Sequence, residues 1–534
     1  MRSTARYRWR GALVLGTFLG FAALCPALAE PAEQDCVAKI RTLLDEIAAR
    51  DLSTENGPPL NAFLHLNDKA LADAAALDAA VADGQKRGPL HCVPIAVKDN
   101  FDTTDMPVTV GSLALKDYRP GRDAELVARL RRAGAIMIGK TNMDEFAMGV
   151  RGLSGAGGRV GNAYDTRMSA GGSSSGSAAA VGAGFVPLAL GSDNCGSLRL
   201  PAVYNGAVAL RSTFGRFSTV GVFPIGFING VTGLIAKDTP TLQSGLAALD
   251  ETWSDRDARA PYALKARRIG ILRVLNGKDL WSQADGAMQD GLLQTIEILQ
   301  RDGAEVIDNI ALNGFNDRMG IEFLKGFGRK ISARFFRDDG PVRSWREICR
   351  SGLIRPEWTA KECVNAAASA PFREGRAARR IASNRDLVVS LMDAKSLDAL
   401  VYPTDGRGGA RPDVSDALTC YLSGSSGLPA AAAPAGLDSR GMPFGIEWIG
   451  RPGSDEMLVA MMAAFEASRG TIAAAPLPER DPALAALPLS AQNALRLEIG
   501  EAAFRSRNGT ALGDLTPDRF RTLTRDMASK VPAR

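Results

Sequence analysis

Histidine is scarce in this chain of 534 residues, which contains only His65 and His91. The stretch AGGSSSGS at 170–177 holds the pattern G-x-S-x-G centred on Ser174, which is the nucleophile pattern of α/β-hydrolases. In that fold the catalytic histidine follows the nucleophile along the chain, whereas both histidines here precede it. The α/β-hydrolase arrangement is therefore excluded, and serine chemistry needs another base, for which lysine is the usual substitute. Two histidines in these positions also exclude an HExxH zinc site.

The C-x-x-C motif and clusters of basic residues are also absent from the sequence. No C-x-x-C occurs, and no block of lysine and arginine is interleaved with aromatic residues. Nucleic-acid binding therefore has no electrostatic support. The segment GAIMIGKT at 134–141 matches the phosphate-binding pattern G-x-x-x-x-G-K-[ST], but its middle residues are apolar. They predict a buried strand rather than an exposed cradle of N–H groups, and Lys140 is then a structural or surface lysine.

The first 29 residues have the composition of a secretory signal peptide. Four arginines within 2–10 precede the apolar segment Ala12 to Leu24, and Ala27-Leu28-Ala29 supplies a small-x-small cleavage site. A retained membrane anchor is the alternative, although the apolar run is short for a membrane span. Removal of 1–29 takes away four arginines and no acid, which lowers the formal net charge from +5 to +1. We therefore expect a periplasmic or secreted protein without a stable membrane anchor.

Six cysteines remain after this cleavage, and an exported protein can oxidise some of them. Cys349 and Cys363 are close in sequence and are plausible partners, although spacing alone cannot establish connectivity.

Apolar spacing predicts helices that alternate with strands, which is typical of an α/β sheet covered on both faces. The region 280–400 is mostly helical and charged in pattern. Helices are predicted at 36–50, 69–86, 124–133, 177–184, 455–468 and 490–505, and strands at 93–97, 135–138, 186–190, 399–402 and twice within 428–448.

Three polar features lie next to predicted strands and turns. Lys98 ends an apolar strand, where desolvation lowers the pKa of an amine from about 10.4 and favours a neutral base. The alternative is an ion pair with Asp99. The glycine and serine turn at 171–176 presents backbone N–H groups at a helix start, or is a simple helix cap or linker. The stretch 191–202 places successive N–H groups beside Ser197, where they can hold an oxyanion, or forms an ordinary turn.

Together these features resemble the amidase signature family over about residues 59–470. The motifs that carry the resemblance are, in order, GPLHCVPIAVKDN, KTNMDEFAMG, GGSSSGSAAAVGAG, PLALGSDNCGSLRLPA, and GLPAAAAPAG followed by GMPFGIEWIG. The resemblance implies an α/β fold, a single large α/β/α domain with a twisted mixed sheet, at 30–474. Helical insertions at about 280–390 would shape its substrate pocket, and 475–534 would be a C-terminal extension.

The resemblance also implies a Ser–cis-Ser–Lys triad that needs no metal and no organic cofactor. Ser197 would be the acyl nucleophile, Ser173 the middle serine on a cis peptide bond, and Lys98 the base, so that Ser174 is not the nucleophile. The implied oxyanion donors are the backbone N–H groups of Asn194, Cys195, Gly196 and Ser197. Asp193 and Arg199 match family positions, and we expect both to brace the loop rather than to transfer protons.

The chain departs from the family pattern near this predicted site. Cys195 and Ser175 replace glycines, Asn194 replaces the more usual threonine, and Cys92 replaces a glycine in the first motif. A Cβ at Cys195 can narrow the pocket or shift an oxyanion donor. We expect such changes to alter the choice of substrate.

The sequence thus predicts an exported amidase that hydrolyses a small-molecule amide through an acyl-enzyme. One alternative is a subunit that releases ammonia from glutamine for a partner, because KTNMDEFAMG resembles the A subunit of glutamyl-tRNA amidotransferase. The signal peptide argues against that alternative, since its chemistry requires tRNA and ATP in the cytoplasm. A non-catalytic binding protein on the same fold is the third hypothesis, and intact Lys98, Ser173 and Ser197 argue against it.

Overall fold

The helices and strands of this chain are given by a computed structural model that describes 35–55, 57–223, 228–253, 263–316, 342, 344–355, 363, 374–407, 409–411 and 421–505. The helices are α1 (Cys36–Arg50), α2 (Ala70–Ala82), α3 (Glu125–Arg132), α4 (Ser175–Gly182), α5 (Arg199–Tyr204), α6 (Thr239–Leu249), α7 (Gly286–Arg301), α8 (Trp345–Arg350), α9 (Glu374–Ala394), α10 (Tyr421–Gly424), α11 (Asp455–Arg469), α12 (Pro482–Ala485) and α13 (Leu489–Arg505). The strands are β1 (Phe63–Leu66), β2 (Pro94–Lys98), β3 (Ile136–Thr141), β4 (Leu153–Ser154), β5 (Gly158–Arg159), β6 (Leu188–Asp193), β7 (Val208–Arg211), β8 (Val231–Ala236), β9 (Arg268–Leu275), β10 (Lys278–Asp279), β11 (Glu305–Leu312), β12 (Ala399–Pro403), β13 (Ala430–Leu437) and β14 (Pro443–Ile449). The predicted signal peptide at 1–29 lies outside the described residues. Within those residues, none of the helices has the length and apolar character needed to cross a bilayer.

One mixed sheet organises the fold. Its strand order is β1-β3-β2-β6-β8-β7-β13-β14-β12-β9-β10, and β11 pairs with β9. Strands β3, β2 and β6 run parallel to one another, whereas β6 and β8 are antiparallel. Strands β4 and β5 form a separate small hairpin.

Both faces of the central strands are buried. Successive side chains of a strand point to opposite faces, so its neighbouring residues belong to different cores. On β2, Ile95 and Val97 belong to one apolar core and Ala96 belongs to the other. Helices α3, α6, α7 and α11 pack on the first face, and α1, α2, α4 and α5 pack on the second. The predicted α/β/α architecture with a twisted mixed sheet is therefore confirmed.

The strand β11 corrects the expectation of helical insertions across 280–390. This segment pairs in parallel with β9 and extends the sheet. Within its sequence EVIDNIAL, only Ile310 and Leu312 are buried. Most of the other side chains are exposed at the edge of the sheet. The apolar residues of β11 are adjacent, at 306–307 and 310–312, rather than alternating with polar ones, so the segment carries no clear period-2 signal.

The described part of the C-terminal extension packs on the first elements of the chain. Helix α12 contacts α1, and α13 contacts the edge strand β1. The side-chain amide of Asn493 donates to the Leu66 carbonyl at 2.9 Å and accepts from the Leu66 N–H at 2.8 Å. Arg496 pairs with the buried carboxylate of Asp51. Helix α13 thereby covers an edge that would otherwise present unpaired backbone groups.

Two disulfides connect elements of the described residues. Cys349 is bonded to Cys363, which is the pair that the sequence favoured. The second bond joins Cys36 at the start of α1 to Cys92 before β2, across a sequence separation of 56. Spacing gave no signal for that second pair. Cys195 forms no disulfide with the other described cysteines.

Candidate active site

The site begins where three parallel strands end. Because the carboxyl ends of parallel strands meet at one edge of a sheet, the residues that follow β2, β3 and β6 lie together. Val97 of β2 pairs with Leu190 of β6 and with Lys140 of β3. This register brings Lys98 close to Ser192 near the end of β6.

Lys98 is fully buried and contacts two serine hydroxyls. Its Nζ donates to Ser173 Oγ at 2.8 Å and to Ser192 Oγ at 2.8 Å. Burial lowers the pKa of Lys98 to about 7, although the nearby carboxylates of Asp144 and Asp193 act to raise it. The amine can therefore be neutral near neutral pH, as a general base requires.

Asp99 does not serve as the ion-pair partner of Lys98. Its Oδ1 lies 3.2 Å from Nζ of Lys140, which also donates to the Phe101 carbonyl at 2.6 Å. Lys140 belongs to strand β3 and is fully buried. Residues Ile136–Thr141 of GAIMIGKT thus form a strand, as predicted, and its lysine is a structural ion-pair partner.

The serine-rich turn is attached to β6 through Ser174. The Gly172–Ser173 peptide bond is cis. Ser174 Oγ donates to the Ser192 carbonyl at 3.2 Å and accepts from the Ser192 N–H at 3.3 Å. The N–H of Ser174 donates to the Ser197 carbonyl at 3.2 Å. Ser174 therefore links the turn that carries Ser173 to the turn that carries Ser197.

A buried ionic cluster braces the turn after β6. The Asp193 carboxylate accepts hydrogen bonds from the N–H groups of Gly196 and Leu198 at 2.8 and 3.2 Å. It also lies 3.1 Å from Arg199 Nε and 3.0 Å from Arg211 Nη1. Burial acts to raise the pKa of Asp193, but the two guanidinium groups hold that pKa below its ordinary value. Both Asp193 and Arg199 therefore have structural contacts that fix this turn.

One of the four predicted oxyanion donors, the N–H of Gly196, is already used within this turn. Gly196 donates its N–H to Asp193, so this group already has an acceptor within the turn. The N–H groups of Asn194 and Ser197 donate to no acceptor in the part of the chain that the structure describes. Ser197 is 5% exposed, and Cys195 beside it is partly exposed. Those N–H groups, together with the Ser197 hydroxyl, can therefore face a bound carbonyl.

Asp144 is a residue of this site that the sequence analysis missed. Its carboxylate accepts from the three N–H groups of 151–153 at 3.0 to 3.2 Å, and its own N–H donates to the Ser173 carbonyl at 3.3 Å. Burial raises the pKa of Asp144. A Cβ on Gly172 would overlap the Asp144 carboxylate, so the residue before the cis bond has no room for a side chain.

The segment around α8 packs on the turn that contains Asp144. Trp345 stacks edge-on against Phe146 with ring centroids 4.9 Å apart. The N–H of Arg355 donates to Glu145 Oε2 at 3.0 Å. This part of the predicted insertion therefore contacts the loop next to the lysine and serine cluster.

Ser192 and Asn100 are two further residues that were not predicted. Ser192 Oγ contacts both the Lys98 amine and the Asn100 side-chain amide, the latter at 3.2 Å. Both residues lie inside motifs that were quoted for the family resemblance, and their positions at strand ends could have identified them. Among the described residues, no group of three or more His, Cys, Asp or Glu side chains is arranged to hold a metal ion.

A family model described as Amidase matches 52–459 of this sequence. The chain belongs to the amidase signature family. Membership makes it an enzyme that hydrolyses amide C–N bonds, which removes support from the hypothesis of a non-catalytic binding protein.

Other members of the amidase signature family are similar over most of their length. The A subunit of glutamyl-tRNA(Gln) amidotransferase from Nocardia farcinica is 33% identical over 487 residues, which cover 83% of this chain and 98% of that protein. The peptide amidase from Stenotrophomonas maltophilia superposes with a TM-score of 0.74 at 31% identity, covering 84% of this chain and 96% of that one. An amidase family protein from Bacillus anthracis gives a TM-score of 0.73 at 27% identity, with 83% and 90% coverage.

Proposed function

We propose that this protein is an exported amidase in which Lys98, Ser173 and Ser197 form the catalytic triad. The observation that carries the proposal is the contact of 2.8 Å between the buried Lys98 amine and the Ser173 hydroxyl. A lysine buried beside hydroxyl groups, with a pKa lowered to about 7, has the properties of a general base. The link between Ser174 and Ser197 supports a position for Ser197 beside this pair.

The reaction proceeds in two halves. Neutral Lys98 accepts the Ser173 proton while Ser173 accepts the proton of Ser197, and Ser197 Oγ forms a bond to the amide carbonyl carbon. The relay returns the proton to the nitrogen of the leaving amine as the C–N bond breaks, which leaves an ester on Ser197. Water then attacks this ester, loses its proton to the same relay, and releases the carboxylic acid.

Backbone N–H groups stabilise the negative oxygen in each half of the reaction. Asn194 and Ser197 are the donors best suited to this role, because the Gly196 N–H is held by Asp193. Removal of one such donor costs about 3 to 4 kcal/mol in enzymes where it has been measured. The bracing of this turn by Arg199 and Arg211 keeps the donors in place before substrate binds.

Labelling with a fluorophosphonate tests the nucleophile. Ser197 Oγ would form a bond to phosphorus as fluoride leaves, and intact-protein mass spectrometry would detect the adduct. We expect a single adduct on the purified wild type and none on Ser197→Ala of equal thermal stability. An adduct that persists on Ser197→Ala would refute the assignment of the nucleophile. Amide substrates would then be screened with the Ser173→Ala and Ser174→Ala variants.

Export is supported by the signal-like composition of 1–29 and by the two disulfides. Disulfides persist in oxidising compartments and are rare in the cytosol of most organisms. Fractionation of the source cells should recover a form that begins near Glu30 outside the cytoplasm. Recovery of an uncleaved chain in the cytoplasm with reduced cysteines would contradict export.

A glutamine-hydrolysing subunit is the second candidate function, because the A subunit of glutamyl-tRNA(Gln) amidotransferase is similar over 98% of its length. Such a subunit would release ammonia from glutamine for a partner protein. The test is ammonia release from glutamine compared with a panel of alkyl, aryl and peptide amides. Glutamine as the sole substrate, together with a partner that co-purifies from the source cells, would favour this candidate.

A further inference from the structure

Ser192 lies between the Lys98 amine and the Asn100 side chain at the centre of the proposed site. Its Oγ is 2.8 Å from Lys98 Nζ and 3.2 Å from the Asn100 amide nitrogen. All three residues are fully buried, so no bulk water completes their hydrogen bonds. The direction of each hydrogen bond in this group must therefore be decided within the group.

A neutral lysine amine has two N–H donors and one lone pair. For Lys98 to accept a proton from Ser173, its lone pair must face Ser173 Oγ. Lys98 then donates an N–H to Ser192 Oγ, and the Ser192 hydroxyl must donate its own hydrogen to a different acceptor. If no such acceptor exists, the Ser192 hydroxyl donates to the Lys98 lone pair and competes with Ser173 for it.

The Asn100 side chain can supply that acceptor. A half-turn of its amide exchanges an oxygen and a nitrogen of nearly equal size, so either group can face Ser192. In the structure the nitrogen faces Ser192, and Asn100 Oδ1 has no hydrogen-bond partner in the described part of the chain. With the oxygen toward Ser192, the amide nitrogen takes the position without a partner that Oδ1 occupies now.

We propose that Asn100 is a positioning residue, which accepts the Ser192 hydroxyl hydrogen and thereby turns the Lys98 lone pair toward Ser173. This role deepens the proposed function and depends on it. The chain of donors then runs from Lys98 N–H to Ser192 and from Ser192 O–H to Asn100 Oδ1. The charged groups that face Lys98 are the carboxylates of Asp144 and Asp193. Neither contacts the Ser192 hydroxyl, whose partners among the described residues are Lys98 and Asn100.

Steady-state kinetics of Asn100→Leu, Ser192→Ala and the double variant test this role. We expect each single change to lower kcat at least about tenfold with KM within about twofold, because the lone pair loses its fixed direction. Asn100 acts only through Ser192, so the double variant should be no slower than the slower single variant. Asn100→Asp presents only acceptors to Ser192 and should keep kcat within about threefold above the acid limb of the pH profile.

Asn67→Leu is the matched control, because Asn67 is equally buried and donates to the Met137 carbonyl without reaching Lys98. It should lose thermal stability and keep kcat. Wild-type kcat in Asn100→Leu, or losses that multiply in the double variant, would overturn the positioning role while the proposed function stands. A wild type inert to both fluorophosphonate and amides would overturn the proposed function and the positioning role together.

Discussion

Lys98 Nζ and Ser173 Oγ are 2.8 Å apart in the buried interior, although 75 residues separate them in sequence. The contact forms because β2 ends at Lys98 next to β6, and the turn before α4 is bonded to β6 through Ser174. The sheet therefore supplies the base, and the serine turn is positioned against it.

The pH dependence of activity should follow the Lys98 amine. Burial lowers its pKa to about 7, and only the neutral amine can accept a proton. We expect kcat/KM to rise with pH and to level off above a midpoint near this value. Lys98→Met should lower kcat/KM by about 10² to 10⁴ and remove the acid limb. A flat profile between about pH 5 and 9 in the wild type would contradict Lys98 as the base.

Asp144→Asn should move this acid limb to lower pH. The Asp144 carboxylate favours the charged form of Lys98, so its replacement by a neutral amide lowers the pKa of the amine. The asparagine oxygen can still accept from the N–H groups of Arg151 and Leu153, which share one carboxylate oxygen, whereas the Gly152 N–H loses its acceptor. The measurement is the kcat/KM profile of both proteins at equal ionic strength. A limb that stays in place or moves upward would show that Asp144 does not act on Lys98.

Gly424→Ala should slow catalysis by displacing the turn before Ser197. A Cβ on Gly424 would lie 2.5 Å from the Asn194 carbonyl oxygen and 3.2 Å from Cys195 Cα. Displacement of a donor by about 1 Å can cost about 10² in rate. We expect a loss of that order in kcat, measured with the substrate found in the amide screen. Gly286→Ala is the control, because a Cβ there meets no atom within 4 Å, and equal rates for both variants would refute the prediction.

Replacement of Cys36 and Cys92 by serine should destabilise the fold without changing kcat. This disulfide joins α1 to the amino end of β2, whereas Lys98 lies at the carboxyl end of that strand. Loss of a native disulfide costs about 2 to 4 kcal/mol. Urea unfolding should report this difference between the wild type and the double variant. Reduction also breaks the Cys349–Cys363 bond, so the wild type and the variant should unfold at the same midpoint only when both are reduced. Equal midpoints for oxidised wild type and oxidised variant would contradict the prediction.

Residue periodicity was enough to predict much of the fold. The predicted helix at 36–50 coincides with α1, and the apolar run before Lys98 forms β2. Both segments have strong local patterns whose buried residues face an apolar core. Strand β11 was missed because it lies at an edge and buries few side chains.

The sequence by itself determined the exclusion of a histidine base, the family, and the motif positions of Lys98, Ser173 and Ser197. These follow from residue types and their order, which require no knowledge of distances. Only the tertiary structure decided that Asp99 pairs with Lys140, that Asp193 uses the Gly196 N–H, and that Ser192 contacts Lys98. Such contacts depend on the register between strands and on competition among buried donors and acceptors, which no linear pattern specifies.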